Sequence, residues 1–242
     1  MSKLTDALRA ARRGFCSAVV VAAGSSERMG EDKLFLELDG MPVLAMSLLA
    51  LQNSESIDEI VVVARPDSLD AIGRLRERYG LGKLKYLILG GATRTESAFR
   101  GVMAASKKAK IICIHDGARP FVTEEVIADA VQSAALYLAA APAVPVKDTV
   151  KKAENGIVLE TPDRATLWAV QTPQAFQADI IKAALNKAAT EGVSYTDDCA
   201  AAEAMGCTVH LSRGDEDNIK LTTPADLALA EAILEKRRQA KP

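Results

Sequence analysis

The chain has 242 residues, 49% of them hydrophobic and 26% charged, with a formal net charge of -2. That is enough apolar material for a substantial core in one α/β domain, and the charge is too nearly balanced to supply a global field for nucleic acid or for a strongly charged partner. Phosphate chemistry, if present, must come from local placement of charge; no apolar run reaches membrane-spanning length.

Residues 1–16 read as a leader, with Leu4, Leu8 and Ala11 at helical spacing among charged residues. Arg9, Arg12 and Arg13 ahead of the apolar stretch 15–23 imitate a signal peptide. The stretch is short and is followed at once by a Gly/Ser loop and charges, so it reads instead as a first core strand. Apolar, β-branched runs at 18–21, 60–64, 86–89 and 111–114 then alternate with helical patterns near 42–53, 67–79, 95–106 and 123–138. That alternation predicts an α/β fold with a doubly wound, mainly parallel sheet. In such sheets ligands lie beyond the carboxyl ends of the strands, so the loops starting at Ala22, Gly90 and His115 should border one crevice.

From Ala139 the rhythm changes. Residues 143–146 are strand-like, and 147–171 hold short extended pieces around Asn155-Gly156, a hairpin turn signal that predicts a protruding β-hairpin arm. Helical patterns follow near 178–189 and 197–205, then a strand at 208–211 and a last helix opened by Thr223-Pro224 with Asp226 in its first turn. Cys16, Cys113, Cys199 and Cys207 form no CxxC pair, which fits a reduced cytoplasmic compartment.

The first loop carries the densest chemistry: Ala22-Ala23-Gly24-Ser25-Ser26-Glu27-Arg28-Met29-Gly30-Glu31-Asp32-Lys33. Backbone amides after a strand can cradle a triphosphate, glycine lets the backbone approach closely, and Arg28 and Lys33 add positive charge where a reacting phosphoryl group needs it. Neither GxxxxGK[ST] nor GxGxxG follows the first strand, which disfavours a P-loop ATPase and a conventional dinucleotide dehydrogenase.

The same loop resembles the AAGxGxRM signature of the 2-C-methyl-D-erythritol 4-phosphate cytidylyltransferase family, and further motifs follow in family order. Residues 90–97 (Gly-Gly-Ala-Thr-Arg-Thr-Glu-Ser) are similar to GGxxRxxS, 115–120 (His-Asp-Gly-Ala-Arg-Pro) to HDxARP, and 146–149 (Val-Lys-Asp-Thr) to PVxDT. Asp163-Arg164, 171–174, 196–198 and 217–220 complete the series. Three departures stand out: Ser26 where many relatives have glycine, Asp32-Lys33-Leu34 for the usual proline-lysine-glutamine with a shorter spacing, and Ala92 where some relatives carry aspartate.

The resemblance implies a Rossmann-like nucleotidyltransferase fold in a single domain over 17–238, with 147–172 a dimerisation arm and 239–242 a tail. It implies Arg28, Lys33 and Lys220 as the catalytic cations, with Ala22, Ala23, Gly24, Gly91, Ser97 and Asp116 binding CTP. Arg119, Thr149, Arg164, Thr172 and Lys220 would take the phosphate and polyol of the substrate. Magnesium would be bound mostly through the CTP phosphates, with Asp116 its protein ligand, and the arm would exchange between the subunits of a homodimer. The reaction would be attack of the substrate phosphate on the α-phosphorus of CTP; a phosphate monoester is already a competent nucleophile, so no general base is required. A ribitol or ribulose 5-phosphate cytidylyltransferase is the nearest rival, and a catalytically silent nucleotide-binding dimer the rival from another class.

Other conspicuous residues have plainer readings. His115 and His210 read as packed strand residues, and two histidines in the whole chain argue against a zinc site. Trp168 reads as an apolar cover for a dimer contact, and Asp197-Asp198 as capping or first-turn charge on the following helix.

Overall fold

A computed structural model describes residues 14–24 and 33–239. The leader through residue 13, the loop segment 25–32 with Arg28 and Ser26, and residues 240–242 lie outside the described residues.

The expected α/β sheet is present. Strands β1 (Phe15–Ala22), β4 (Glu59–Ala64), β5 (Leu84–Leu89) and β6 (Ala109–Asp116) pair in parallel in the order β5-β4-β1-β6. Beyond β6 lie β11 (Gln174–Gln177), antiparallel to it, then β7 (Ala139–Pro145), with β12 (His210–Arg213) parallel on the outer edge of β7. β10 (Trp168–Val170) is antiparallel to the far end of β7, so six of the eight strands run one way and two oppose them. Two short ribbons stand apart from this sheet, β2–β3 (Glu37–Leu38 and Met41–Pro42) and β8–β9 (Lys152–Glu154 and Ile157–Glu160).

The sheet is wound on both faces, and alternation along the strands assigns the faces. Ala18 and Val20 of β1, with Ile60, Val62 and Cys113, pack against α1 (Val43–Asn53), α2 (Leu69–Arg78) and α4 (Glu124–Tyr137). Val19, Val61, Val63, Ile112 and Ile114 face the opposite side, against α3 (Arg94–Ala104), α5 (Ala178–Glu191) and α6 (Asp198–Glu203). A third cluster docks α7 (Pro224–Gln239) through Ala230 and Ile233 onto Phe121, Val43 and Leu221. Arg237 tightens that contact by donating to the Phe121 carbonyl at 2.7 Å.

The hairpin forms where Asn155-Gly156 predicts it. Both residues have positive φ, 48° and 80°, the combination a two-residue turn between right-twisted strands demands. Other boundaries differ. The strand expected at 143–146 begins at Ala139, because Ala139-Ala140-Ala141 has little strand propensity of its own and is extended by pairing on both edges. The strand expected at 208–211 runs two residues later, at His210–Arg213. The sequence carries no signal for β11, which is four residues long and follows Pro173.

α3 approaches the sheet tightly at Gly101, where a Cβ would lie 2.4 Å from Val19 Cγ1 and 2.6 Å from Val63 Cγ2, both on fully buried side chains. Gly101→Ala should therefore destabilise the fold by about 1–3 kcal/mol through overpacking, outweighing the gain in helix propensity. Urea unfolding with a lowered midpoint and an unchanged slope would show it.

Candidate functional site

The carboxyl ends of the central strands converge as expected. Val21, Ala23 and Gly24 after β1, residues 91–94 after β5, and Asp116, Gly117 and Ala118 after β6 line a cavity of about 410 Å³, completed by Lys33, Leu34, Arg65, Ser97 and Lys220. Four cationic side chains, Lys33, Arg65, Arg94 and Lys220, face one carboxylate, Asp116, among the described lining residues. Such a cavity suits a small polyanion.

Asp116 organises this charge. Its Oδ2 is 2.8 Å from Lys220 Nζ and 4.0 Å from Arg119 Nε, and its Oδ1 is 3.4 Å from Arg94 Nη2. Burial alone would raise its pKa, but Lys220, Arg94 and Arg119 hold it well below the usual carboxylate range, so it is ionised at neutral pH. Each cation is anchored from behind. Arg119 Nη1 donates to the Asn218 carbonyl at 2.6 Å, and the fully buried Asn218 amide donates to the Thr172 carbonyl at 3.0 Å. Leu221 N–H donates to the Ala118 carbonyl at 2.9 Å, so Lys220 lies between the anchored Asn218 and Leu221.

Arg94 has a second, deeper partner. Its Nη2 lies 2.8 Å from Oδ2 of Asp198, a carboxylate with 1% exposure at the start of α6. Burial would discharge the guanidinium, but Asp198 and then Asp116 more than offset that and raise its pKa. Gln174 fixes the far end: its Oε1 accepts from the amides of Asp198 and Cys199 at 3.0 and 3.1 Å, and its Nε2 donates to Asp197 at 2.9 Å. Asp197 caps α6 as the sequence suggests, accepting from Ala200 N–H at 2.9 Å.

The start of α3 presents its amide end to the cavity. Thr93 caps the helix by accepting from Glu96 N–H at 3.0 Å, while the Glu96 carboxylate accepts from Ala92 N–H at 2.8 Å, a reciprocal arrangement close to a capping box. Ser97 accepts from Gly91 N–H at 3.0 Å and donates to the Thr93 carbonyl at 2.9 Å, closing the turn.

His115 is fully buried, as its plain reading had it. Its Nε2 is 3.3 Å from the Arg119 carbonyl, which can only accept, so Nε2 carries the proton and Nδ1 accepts from the Thr172 hydroxyl at 3.0 Å. That hydroxyl in turn accepts from Asp116 N–H at 3.0 Å. Burial, the largest influence, lowers the His115 pKa to about 4.

The structure thus brings Ala23, Gly24, Lys33, Gly91, Ser97, Asp116 and Lys220 to one cavity, with Arg119 directly behind Asp116. The Ala22 side chain is buried in the core, and the Thr172 hydroxyl is engaged within the protein. Thr149 and Arg164 are exposed on the arm and are not among the described lining residues; Arg164 Nη1 donates to the Lys147 carbonyl at 2.8 Å. Arg28 lies outside the described residues. From sequence alone Arg65 and Arg94 have no evident role, and Asp198 reads as helix-end charge. Arg94 stands directly after a capping threonine in the Gly-Gly segment, which is the signal that could have found it.

A family model described as 2-C-methyl-D-erythritol 4-phosphate cytidylyltransferase matches residues 16–236. Curated relatives bearing that name include one from Caldanaerobacter subterraneus, 46% identical over 91% of this chain and 99% of its own length. Another, from Halalkalibacterium halodurans, is 46% identical over 92% and 99%. Among solved structures, the 4-diphosphocytidyl-2C-methyl-D-erythritol synthase of Anaerococcus prevotii superposes with a TM-score of 0.84 at 34% identity, covering 93% of this chain and 99% of that one.

The buried, neutral His115 couples folding to pH. The unfolded chain takes up this proton near 6.5 and the folded chain only near 4, so stability is full above 6.5 and is lost as pH falls from 6.5 towards 4. The gap corresponds to roughly 3 kcal/mol. Wild-type protein should lose about that much more stability than His115→Gln between pH 7.5 and 4, measured by urea unfolding at each pH.

Proposed function

Because the chain belongs to the 2-C-methyl-D-erythritol 4-phosphate cytidylyltransferase family, we propose that it transfers CMP from CTP to 2-C-methyl-D-erythritol 4-phosphate. The products are 4-diphosphocytidyl-2-C-methyl-D-erythritol and pyrophosphate, within the non-mevalonate isoprenoid pathway. The observation that carries this reading is the cation-lined cavity at the strand ends, organised around the ionised Asp116.

In the reaction a phosphate oxygen of the polyol substrate forms a bond to the α-phosphorus of CTP, the bond from that phosphorus to the bridging oxygen breaks, and pyrophosphate leaves with the electron pair. Catalysis is positioning and charge stabilisation. Lys33 and Lys220, with Arg28, stabilise charge on the α-phosphoryl oxygens. Ala22, Ala23, Gly24, Gly91 and Ser97 frame the base and the start of the phosphates largely with backbone, a tight fit that favours a pyrimidine. Arg119, Thr149, Arg164 and Thr172 serve the acceptor: Arg119 and Lys220 at its phosphate, Thr172 by fixing the Asp116 amide and His115, and Thr149 and Arg164 from the arm.

Magnesium fits the donor set in a limited way. Asp116 is ionised, faces the cavity, and is the one carboxylate among the described lining residues; these residues include no cluster of three His, Cys, Asp or Glu side chains that could hold a metal alone. A hard cation held mainly by triphosphate oxygens needs only one such protein oxygen. Asp116 would hold such an ion, which would supply charge neutralisation at the phosphates.

The catalytic domain spans 17–238 and acts as a homodimer joined through the arm at 147–172. Ile157, Val158 and Leu159 on β9 are 68%, 54% and 58% exposed and Trp168 is 46% exposed, apolar surface that a second subunit would cover. A cytoplasmic location belongs to the same reading, since both substrates are charged small molecules.

Pyrophosphate release from CTP and magnesium tests the assignment, with methylerythritol 4-phosphate, ribitol 5-phosphate and ribulose 5-phosphate assayed in parallel. Turnover of the first is expected; equal or faster turnover of ribitol 5-phosphate would move the protein to pentitol chemistry, and silence with all three to a nucleotide-binding role. Lys33→Ala should lower kcat by about a hundredfold or more while the Kd for CTP changes only a few-fold, the pattern of a group acting in the transition state. A pure loss of affinity would refute that role.

A further inference from the structure

Arg65 is a cation of this cavity that neither the family motifs quoted above nor the acceptor and nucleotide roles account for. It follows the last residue of β4, the strand between β1 and β5, and so stands at the sheet's carboxyl edge between the Gly24 and Gly91 loops. Its side chain lines the cavity and is 26% exposed.

The guanidinium is held at each of its nitrogens. Nη1 donates to the Gly24 carbonyl at 3.1 Å, Nε to Asp67 Oδ1 at 3.1 Å, and Nη2 reaches Ser68 Oγ at 3.5 Å. Asp67 is itself held by Ser68, whose hydroxyl donates to Oδ1 at 3.1 Å. The Arg65 hydrogen bond keeps the Asp67 carboxyl below its ordinary pKa, so the clamp is charged at neutral pH.

Arg65 lines the cavity, and its Asp67 partner is 71% exposed, so water screens that pair. A planar fork fixed by local contacts also gives up less rotamer freedom when it takes a phosphate than a free side chain does.

We propose that Arg65 is a further nucleotide-binding residue, contacting the triphosphate of CTP while its bond to the Gly24 carbonyl holds the start of the phosphate loop. The assignment rests on the cytidylyl-transfer reading for the name of the nucleotide, but its chemistry, a fixed guanidinium for a polyphosphate, can be read without turnover.

The test is calorimetric binding of CTP, and separately of inorganic tripolyphosphate, to wild-type protein, Arg65→Gln, Arg65→Lys and the surface control Lys187→Gln, with melting temperatures for each. Loss of one charge-assisted contact should weaken both ligands about tenfold in Arg65→Gln. Arg65→Lys should recover part of that loss, and Lys187→Gln should match wild type. The assignment is overturned if Arg65→Gln binds both ligands within twofold of wild type, or if CTP weakens and tripolyphosphate does not. It is also overturned if the Gln and Lys variants lose equal affinity together with melting temperature, which would make Arg65 a strap for Gly24 alone. Wild-type protein that binds tripolyphosphate through Arg65 yet releases no pyrophosphate with any acceptor would refute the cytidylyl-transfer reading and leave this assignment standing.

Discussion

The site depends on one carboxylate kept ionised inside a ring of positive charge. Asp116 ends β6, and Arg94, Arg119 and Lys220 reach it from three separate segments of the chain. Buried and alone it would favour its protonated form; surrounded, it gives each cation a fixed address. Removing it would leave three like charges crowded at one sheet edge, so the carboxylate allows a cationic cavity to exist in a folded, ligand-free protein.

The supports behind that ring lie in the sheet and its connections. Asn218, Thr172, His115 and the Asp116 amide form one hydrogen-bonded strap, and Gln174, Asp197 and Asp198 form a second behind Arg94. Both straps start on or next to β11, the antiparallel strand wedged between β6 and β7. That reversal carries the chain from the arm back under the cavity, so a break in the parallel pattern is what brings residues 171–174 to the site.

Much of this was legible from sequence. The parallel core, the hairpin at Asn155-Gly156 and the convergence of the loops starting at Ala22, Gly90 and His115 follow from periodicity and from the rule for ligands at strand ends. The ordered motifs identified the family because several weak signals agree over most of the chain. The sequence said less about β7 and β11, whose Ala-Ala-Ala and Gln-Ala-Phe-Gln segments are extended by their neighbours and not by their own propensities. It was silent on Arg65 and on the Arg94–Asp198 pair, because contacts between residues 41 and 104 positions apart leave no local pattern to read.

The β8–β9 ribbon and the cavity differ in how their side chains are held. Around Asp116 most side chains are buried and bonded to two or more partners, whereas β8 and β9 form an isolated two-stranded ribbon with every residue exposed. A change of side chain on the ribbon removes no core packing, while a change beside Asp116 disturbs several segments at once. Under mutation and selection the two regions should therefore drift at different speeds, the exposed ribbon changing freely while the surroundings of Asp116 stay fixed.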